Sequence, residues 1–184
     1  MQIIGGMHKG RKLKSPGNGL VRPTLAKIRE AFFDIVGQEV RDCDFLDMYA
    51  GTGAIGIEAL SRGARRVCFI ERSRTVATLL SKNLAFMDSN LYVVMMMDVK
   101  RAMEQMEKKH IQFNMVYIDP PYKDVGAYRD ILPDILNRKL IKDSWVIGIE
   151  HDRTVKDILQ GVRSDMTMKT YRYGDTYLTI VRGQ

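Results

Sequence analysis

Apolar residues along this chain follow two different spacings, and from about residue 44 the two alternate regularly. Short apolar runs, typical of buried strands, are separated by stretches in which apolar residues recur every three or four positions, as on one face of a helix. This alternation predicts an α/β fold with a mostly parallel sheet. The runs that predict strands are residues 44–49, 67–70, 91–97, 113–118, 145–149, 168–173 and 177–181.

Helices are predicted between the strands and before the first of them. Thr24 is expected to cap an early helix, Pro133 to kink a later one or delay its start, and Gly174-Asp175 to turn the last two strands into a hairpin. We therefore expect a seven-stranded, mostly parallel sheet that ends in an antiparallel hairpin, the layout of Rossmann-like class I methyltransferases. The helical patterns cover residues 25–35, 54–62 with Gly63 as C-cap, 76–84, 99–106, 128–136 and 155–159.

The composition describes an ordinary globular chain of 184 residues with 45% hydrophobic and 28% charged residues. No apolar run approaches the roughly 20 residues that span a bilayer, and the first residues lack a secretory apolar core, so a cytoplasmic protein is expected. The two cysteines and three histidines lie at no metal-ligand spacing. We expect neither a metal nor a disulfide.

The net charge of +7 is confined to one end of the chain. Residues 1–29 contain no acidic residue, and the remaining chain carries 22 basic and 22 acidic residues. A localised basic segment is the electrostatic signature of a nucleic-acid partner, and a solvated basic tail is the alternative. The residues expected to bind RNA are Lys9, Arg11, Lys12, Lys14, Arg22 and Arg29, with Arg29 off the buried stripe of the first helix.

A glycine-rich turn follows the first predicted strand of the alternating region. Gly51, Gly53 and Gly56 have the G-x-G-x-x-G spacing, which permits a tight turn and close approach of a ligand to the backbone at a helix N-terminus. Asp47, directly before the turn, would repel a pyrophosphate but suits a ligand that carries positive charge. S-adenosylmethionine is such a ligand.

Four predicted parallel strands end in an acidic residue: Asp47, Glu71, Asp98 and Asp119. Ligands of open α/β sheets bind at the carboxyl ends of the strands, so these carboxylates should line one cleft. Glu71 follows Gly51 by 20 residues, the spacing at which an acid accepts hydrogen bonds from ribose hydroxyls. Asp98 could accept from an adenine amine, and Asp47 would orient the methionine end of the cofactor.

Asp119-Pro120-Pro121-Tyr122 is the most specific motif in the chain. Two prolines fix the backbone and remove N–H donors, while Tyr122 offers a ring on which a flipped base can stack. The Asp119 carboxylate and the Pro120 carbonyl could accept the two hydrogens of a base's exocyclic amine and aim its nitrogen at the methyl group. We expect Asp119 to Tyr122 to form the catalytic corner.

The chain resembles the RsmD family of bacterial 16S rRNA (guanine-N2)-methyltransferases. The similarity rests on Met1 to Gly6, Gly10 to Leu13, Arg22-Pro23-Thr24 with Arg29-Glu30, Asp47 to Gly53 continuing to Glu58 to Ala64, and Asp119 to Tyr122. It implies S-adenosylmethionine as donor, 16S rRNA or a small-subunit assembly intermediate as substrate, and Tyr49 as the aromatic residue beside the cofactor. We expect a monomer with an RNA-binding extension, residues 1–40, and a methyltransferase domain, residues 41–184.

Three other functions fit parts of the sequence. A DNA adenine-N6 methyltransferase shares the Asp-Pro-Pro-Tyr chemistry but usually carries an added target-recognition region. A dinucleotide-dependent oxidoreductase would explain the glycine spacing and Glu71 but not the Asp119 motif. A non-catalytic RNA-binding assembly module would use the basic segment alone, and turnover would distinguish it from an enzyme.

Overall fold

One seven-stranded sheet forms the centre of the protein in a computed structural model, which describes residues 1–15, 23–120, 125–153 and 166–183. The strands are β1 (Asp44–Asp47), β2 (Arg66–Ile70), β3 (Tyr92–Met95), β4 (Phe113–Ile118), β5 (Ile141–His151), β6 (Met166–Tyr173) and β7 (Thr176–Gly183). Their order in the sheet is β3-β2-β1-β4-β5-β7-β6. Strands β1 to β5 are parallel, and β7 is antiparallel to both β5 and β6. The predicted fold class is confirmed.

Helices cover both faces of the sheet because each has one apolar side. Side chains of α1, α2 and α3 pack in one hydrophobic cluster with Phe45 and Tyr117 of the sheet, and α4 and α5 pack in a second cluster with Leu46 and Val116. Successive residues of a strand point to opposite faces, which explains why neighbouring positions enter different clusters. The helices are α1 (Pro23–Val36), α2 (Ala54–Ser61), α3 (Arg74–Leu84), α4 (Val99–Lys108) and α5 (Val125–Asn137).

Several boundaries differ from those that the sequence predicts. Helix α1 begins at Pro23, so Thr24 lies in its first turn rather than at its cap. Strand β5 starts four residues before the predicted Trp145, because Ile141 already pairs with Phe113 of β4 and the polar residues 142–144 continue the strand. Pro133 lies inside α5 and does not delay its start. The helix predicted at 155–159 lies outside the described residues.

The first fourteen residues form a bridged loop that packs onto α2 and α3. Gln2 and Lys12 form an antiparallel bridge, and the Ile3 amide donates to the Arg11 carbonyl at 3.0 Å. Ile3 and Leu13 are buried in the cluster that also contains Phe32 of α1. This part of the predicted extension therefore shares a core with the sheet. Among the described residues, no helix is long and apolar enough to cross a membrane.

Candidate active site at the carboxyl edge of the sheet

The strand-end acidic residues all lie at the carboxyl edge of the sheet, as predicted. Asp47 is the last residue of β1, Glu71 follows the neighbouring strand β2, and Asp119 follows β4 on the other side of β1. Asp98 lies beyond β3, at the end of this row. Glu150 near the end of β5 adds a fifth carboxylate beside Asp119. The sequence shows that Glu150 ends a strand like the others, but not that this strand lies next to β4.

The glycine turn is shaped by contacts that exclude larger side chains. Gly53 caps α2 with a positive φ of 84°, and a Cβ atom there would lie 2.3 Å from Leu80. A Cβ atom on Gly56 would lie 2.2 Å from the Phe69 ring of β2. Gly51 also has a positive φ, 52°. The glycines therefore serve both the turn and the close packing of α2 on the sheet.

Asp47 is buried beneath this turn, and its carboxylate accepts a hydrogen bond from the Gly56 amide at 3.0 Å. Gly56 lies in the first turn of α2, so the carboxylate satisfies one of the free amides at that helix end. Burial raises the pKa of Asp47 to about 7, and nearby Glu71 adds to the increase while the Gly56 amide opposes it. A buried carboxyl with this pKa favours a positively charged neighbour. Its role toward the cofactor stays a prediction.

Glu71 holds the glycine turn in place. Its carboxylate accepts from the Gly51 amide at 3.0 Å and from the Ser73 amide at 2.7 Å, each on a different oxygen. The side chain is half-buried, and a carboxylate has about four lone-pair sites, so two amides leave capacity for ligand hydroxyls. Glu71 therefore has a fixed orientation from which it could bind a ribose.

Asp98 and Tyr49 occupy the margins of the site. Asp98 is exposed and caps α4 by accepting from the Lys100 amide at 2.9 Å. Tyr49 is half-buried and packs against the cluster that contains Leu46 and Met48. Both side chains lie at the predicted edge, and their contacts with a cofactor stay predictions.

The catalytic corner begins where β4 ends. The pKa of Asp119 is raised well above its ordinary value, first by burial and then by the negative charges of Glu150 and Asp47. The Pro120 carbonyl accepts from the Tyr128 hydroxyl of α5 at 3.4 Å. Pro121 and Tyr122, which complete the predicted corner, lie outside the described residues.

Glu150 is held by a buried tyrosine of the adjacent strand. The Tyr117 hydroxyl donates to Glu150 Oε2 at 2.9 Å, and both residues are almost fully buried. Burial is the main cause that raises the pKa of Tyr117, followed by the charge of Glu150. Tyr117 thus stays a neutral hydrogen-bond donor. Glu150, on the neighbouring strand β5, provides a second carboxyl group near Asp119.

Arg29 is not available to RNA, which corrects the sequence-based expectation. Its side chain is only 4% exposed, its Nη2 donates to the Gln2 carbonyl at 2.8 Å, and its Nε lies 3.8 Å from Glu58. Burial lowers the pKa of Arg29, and Glu58 is the largest opposing influence. Glu58, an acid within an apolar helix, also accepts from the Ile4 and Gly5 amides at 2.8 and 2.7 Å. Arg29 therefore anchors the N-terminal loop to α2.

The other predicted RNA-binding residues that can be described are exposed: Lys9, Arg11, Lys12 and Lys14. The Arg11 guanidinium lies 3.7 Å from the centroid of the Phe86 ring, and His8 packs edge-on against the same ring at 5.1 Å. Phe86 was not predicted from the sequence, because nothing local relates it to the basic segment. Arg22 lies outside the described residues. RNA binding by the exposed set stays a prediction.

A cavity of about 990 Å³ lies away from these carboxylates, between α4 and the strands β2 and β3. Its lining includes Val67, Val93 and Met106 and reaches Asp44 at the start of β1. Asp47, Glu71 and Asp119 do not line it. Within the part of the chain that the structure describes, no group of three or more potential ligands could hold a metal ion.

Comparison with known proteins gives matches along nearly the whole chain. A Bacillus subtilis protein named "Putative rRNA methyltransferase YlbH" is 32% identical over 184 residues, 99% of this chain and 98% of the relative. "Ribosomal RNA small subunit methyltransferase D" of Escherichia coli K12 is 37% identical over 148 residues, 79% of this chain and 69% of the relative.

A solved structure from Escherichia coli, titled "Putative methyltransferase yhhF", superposes with a TM-score of 0.86 at 26% identity and covers 100% of this chain and 98% of that one. The family model described as "Conserved hypothetical protein 95", which corresponds to the RsmD family, matches residues 1–182. The chain therefore belongs to the RsmD family.

Proposed function

We propose that this protein transfers a methyl group from S-adenosylmethionine to the N2 amine of a guanine in 16S rRNA. The observation that carries the proposal is the adjacency of two features: the glycine turn after β1 and the Asp119-Pro120 corner after the neighbouring strand β4. Such an arrangement brings a bound cofactor and a target amine to the same edge of the sheet. Relatives named as rRNA methyltransferases support rRNA as the substrate class.

The residues present fit the cofactor. The glycine turn exposes backbone at the start of α2, where Asp47 provides a buried carboxylate for the positively charged methionine end. Glu71 retains accepting capacity for the ribose hydroxyls, and Asp98 lies where it could accept from an adenine amine. The cofactor would supply an electrophilic methyl group.

The catalytic corner would orient and activate the target amine. The lone pair of a guanine amine is delocalised into the ring, so its nitrogen is a poor nucleophile until the amine is held out of plane. Asp119 and the Pro120 carbonyl would each accept one of its hydrogens and direct the nitrogen toward the methyl group. The ionised Asp119 carboxylate could also take the proton that the amine loses after methyl transfer.

The competing function with the same chemistry is methylation of adenine N6 in DNA, because the corner suits any exocyclic amine. The family match covers residues 1–182, and the Bacillus subtilis relative named as a putative rRNA methyltransferase aligns with 99% of the chain, so both include the basic N-terminal loop. This coverage favours ribosomal RNA over DNA.

Nucleoside mass spectrometry of rRNA from cells with and without the gene tests the proposal. We expect N2-methylguanosine in 16S rRNA to fall by one residue per molecule in the deletion strain and to return when the wild-type gene is restored. As a control, the deletion strain supplied with the gene for the Asp119→Ala variant should not recover N2-methylguanosine. An unchanged N2-methylguanosine level in the deletion strain would refute the proposal.

A further inference from the structure

The β6–β7 hairpin ends at the same edge of the sheet as the catalytic corner. Ile118 of β4 pairs with Ile149 of β5, and two residues later His151 pairs with Tyr177 of β7. The hairpin turn, Gly174-Asp175, therefore lies just beyond the level of Asp119. With strands about 4.8 Å apart, β6 is three spacings, or roughly 14 Å, from β4. We call residues 172–177 the hairpin tip.

Aromatic contacts connect the hairpin tip to the catalytic corner. The Tyr177 ring stacks on His151 with centroids 5.7 Å apart, and Tyr128 lies edge-on to His151 at 6.5 Å. Tyr128 in turn donates its hydroxyl to the Pro120 carbonyl. His151 is fully buried, and this burial lowers its pKa, so the ring in the middle of the stack is neutral. The hairpin tip is thus connected to the catalytic corner through packed side chains, from Tyr177 through His151 to Tyr128.

The hairpin tip presents an oriented cation to solvent. Arg172 is exposed, its Nε donates to the Gly174 carbonyl at 2.8 Å, and its guanidinium carbon lies 6.0 Å from the centroid of the Tyr177 ring. On the same hairpin Lys169 lies 5.1 Å from the Tyr171 ring. Arg182 pairs with Glu39 at 2.9 Å, whereas the described residues provide no carboxylate partner for Arg172 or Lys169. The hairpin therefore combines aromatic rings with two cations, Arg172 and Lys169, that pair with no carboxylate among the described residues.

We propose that the hairpin tip is a second RNA-binding surface, in which Arg172 binds a backbone phosphate of the strand that flanks the target base. The inference rests on the proposed function. A guanidinium held at Nε keeps its other donors for the bidentate geometry that phosphate favours. We favour RNA over an acidic protein as the partner. When the target base of an RNA enters the catalytic corner, the RNA chain on either side of that base must pass within about 14 Å of the corner.

Arginine variants assayed with naked 16S rRNA test the proposal. Arg172→Gln should raise the KM for RNA by about 5- to 20-fold, since a charged hydrogen bond is lost. It should reduce the slope of log affinity against log salt by about 0.7–0.9, the value for one phosphate contact. Both kcat at saturating RNA and the Kd for S-adenosylmethionine should stay at wild-type values. Arg172→Lys, which keeps the charge but not the planar fork, should recover the salt slope and part of the KM.

The matched control is Arg66→Gln, an exposed arginine at the opposite, amino-terminal edge of the sheet, which should leave KM and salt slope unchanged. Equal KM and slope for wild type and Arg172→Gln would overturn the inference while leaving the proposed function intact. An effect seen only with assembled small subunits and absent with naked RNA would also overturn it, in favour of a protein contact. Wild-type enzyme that methylates no guanine in naked 16S rRNA or in assembled small subunits would instead overturn the proposed function.

Discussion

Asp119 and Asp47 show how burial changes the chemistry of single residues at this edge of the sheet. Both carboxyl groups have a raised pKa, and burial is the first cause in each case. Each also lies near another acidic residue, Glu71 for Asp47 and Glu150 for Asp119, but Asp47 accepts a hydrogen bond from the Gly56 amide that lowers its pKa. Substitution of Asp119 should therefore affect the rate of methyl transfer, and substitution of Asp47 should affect the pH dependence of stability.

Asp119→Ala should reduce the rate of methyl transfer by about 10²–10³, because its interaction with the amine strengthens in the transition state. Its affinity for S-adenosylmethionine should change little. Single-turnover assays with saturating cofactor measure the rate. Asp143→Ala, which removes an exposed carboxylate from the amino-terminal part of β5, is the control and should retain the wild-type rate. A wild-type rate for Asp119→Ala would leave the corner as a structural turn.

Asp47 should make the stability of the ligand-free protein depend on pH. Its pKa is about 7 in the folded protein and 3.8 ordinarily, so the folded state holds the proton more tightly. The resulting stabilisation is complete below pH 3.8 and is lost as the pH rises to about 7, with an upper bound of about 4 kcal/mol.

Asp47→Asn keeps an oxygen for the Gly56 amide but carries no charge. We expect its free energy of unfolding to exceed that of the wild type at pH 8 and to approach it at pH 4. Urea unfolding at the two pH values measures the difference. The same pH dependence in both proteins would show that Asp47 is not the group responsible.

At the scale of elements, helix α2 has two roles: its first residues follow the glycine turn, and its later residues hold the N-terminal loop. Its buried Glu58 accepts from two amides of the N-terminal loop and pairs with Arg29 of α1 and Arg62. At the end of the helix, the Ser61 hydroxyl donates to the Gly5 carbonyl at 2.6 Å and accepts from the His8 amide at 2.9 Å. One helix thus connects the predicted cofactor turn to the loop predicted to bind RNA.

Glu58→Ala should therefore destabilise the protein strongly, by about 3–5 kcal/mol, because it leaves the buried Arg29 without its counter-charge. Glu107→Ala is the control, since it removes only the partly exposed pair with Arg138 and should cost less than about 1 kcal/mol. Chemical denaturation monitored by circular dichroism measures both. A loss below 1 kcal/mol for Glu58→Ala would mean that the N-terminal loop is held by its other contacts, including the Ser61 hydrogen bonds and the buried Ile3 and Leu13.

For the whole molecule, ligand-dependent stability distinguishes the proposed cofactor from a dinucleotide. S-adenosylmethionine at 100 times its Kd should stabilise the fold by about 2.7 kcal/mol, which corresponds to a Tm increase of roughly 5–10 °C at this chain length. NAD at the same concentration should produce little shift. Thermal unfolding with each ligand measures this, and Glu71→Ala should reduce the shift with S-adenosylmethionine. An equal or larger shift with NAD would favour the oxidoreductase alternative.

Much of the architecture followed from local sequence patterns. Strand β4 occupies the predicted residues 113–118, because this short, mostly apolar run between Gln112 and Asp119, interrupted only by Asn114, favours a short buried strand. The full length of β5 was not predicted, because the polar residues 142–144 interrupt its apolar pattern and the strand depends on pairing with β4 and β7. The glycine turn was also predictable, since Gly51 and Gly53 adopt the positive φ angles that their local spacing indicates, whereas its contacts with Phe69, Glu71 and Leu80 were not.

The sequence by itself determined which residues end the strands and hence that Asp47, Glu71, Asp98 and Asp119 share one edge, because chain direction fixes which end of a parallel strand a residue occupies. Only the tertiary structure decided which of these carboxyls are buried and what lies beside them. It placed Glu150 next to Asp119 and buried Arg29 against Glu58, 29 positions away in the chain. Strand order and long-range ion pairs depend on contacts between distant segments, and no local spacing records them.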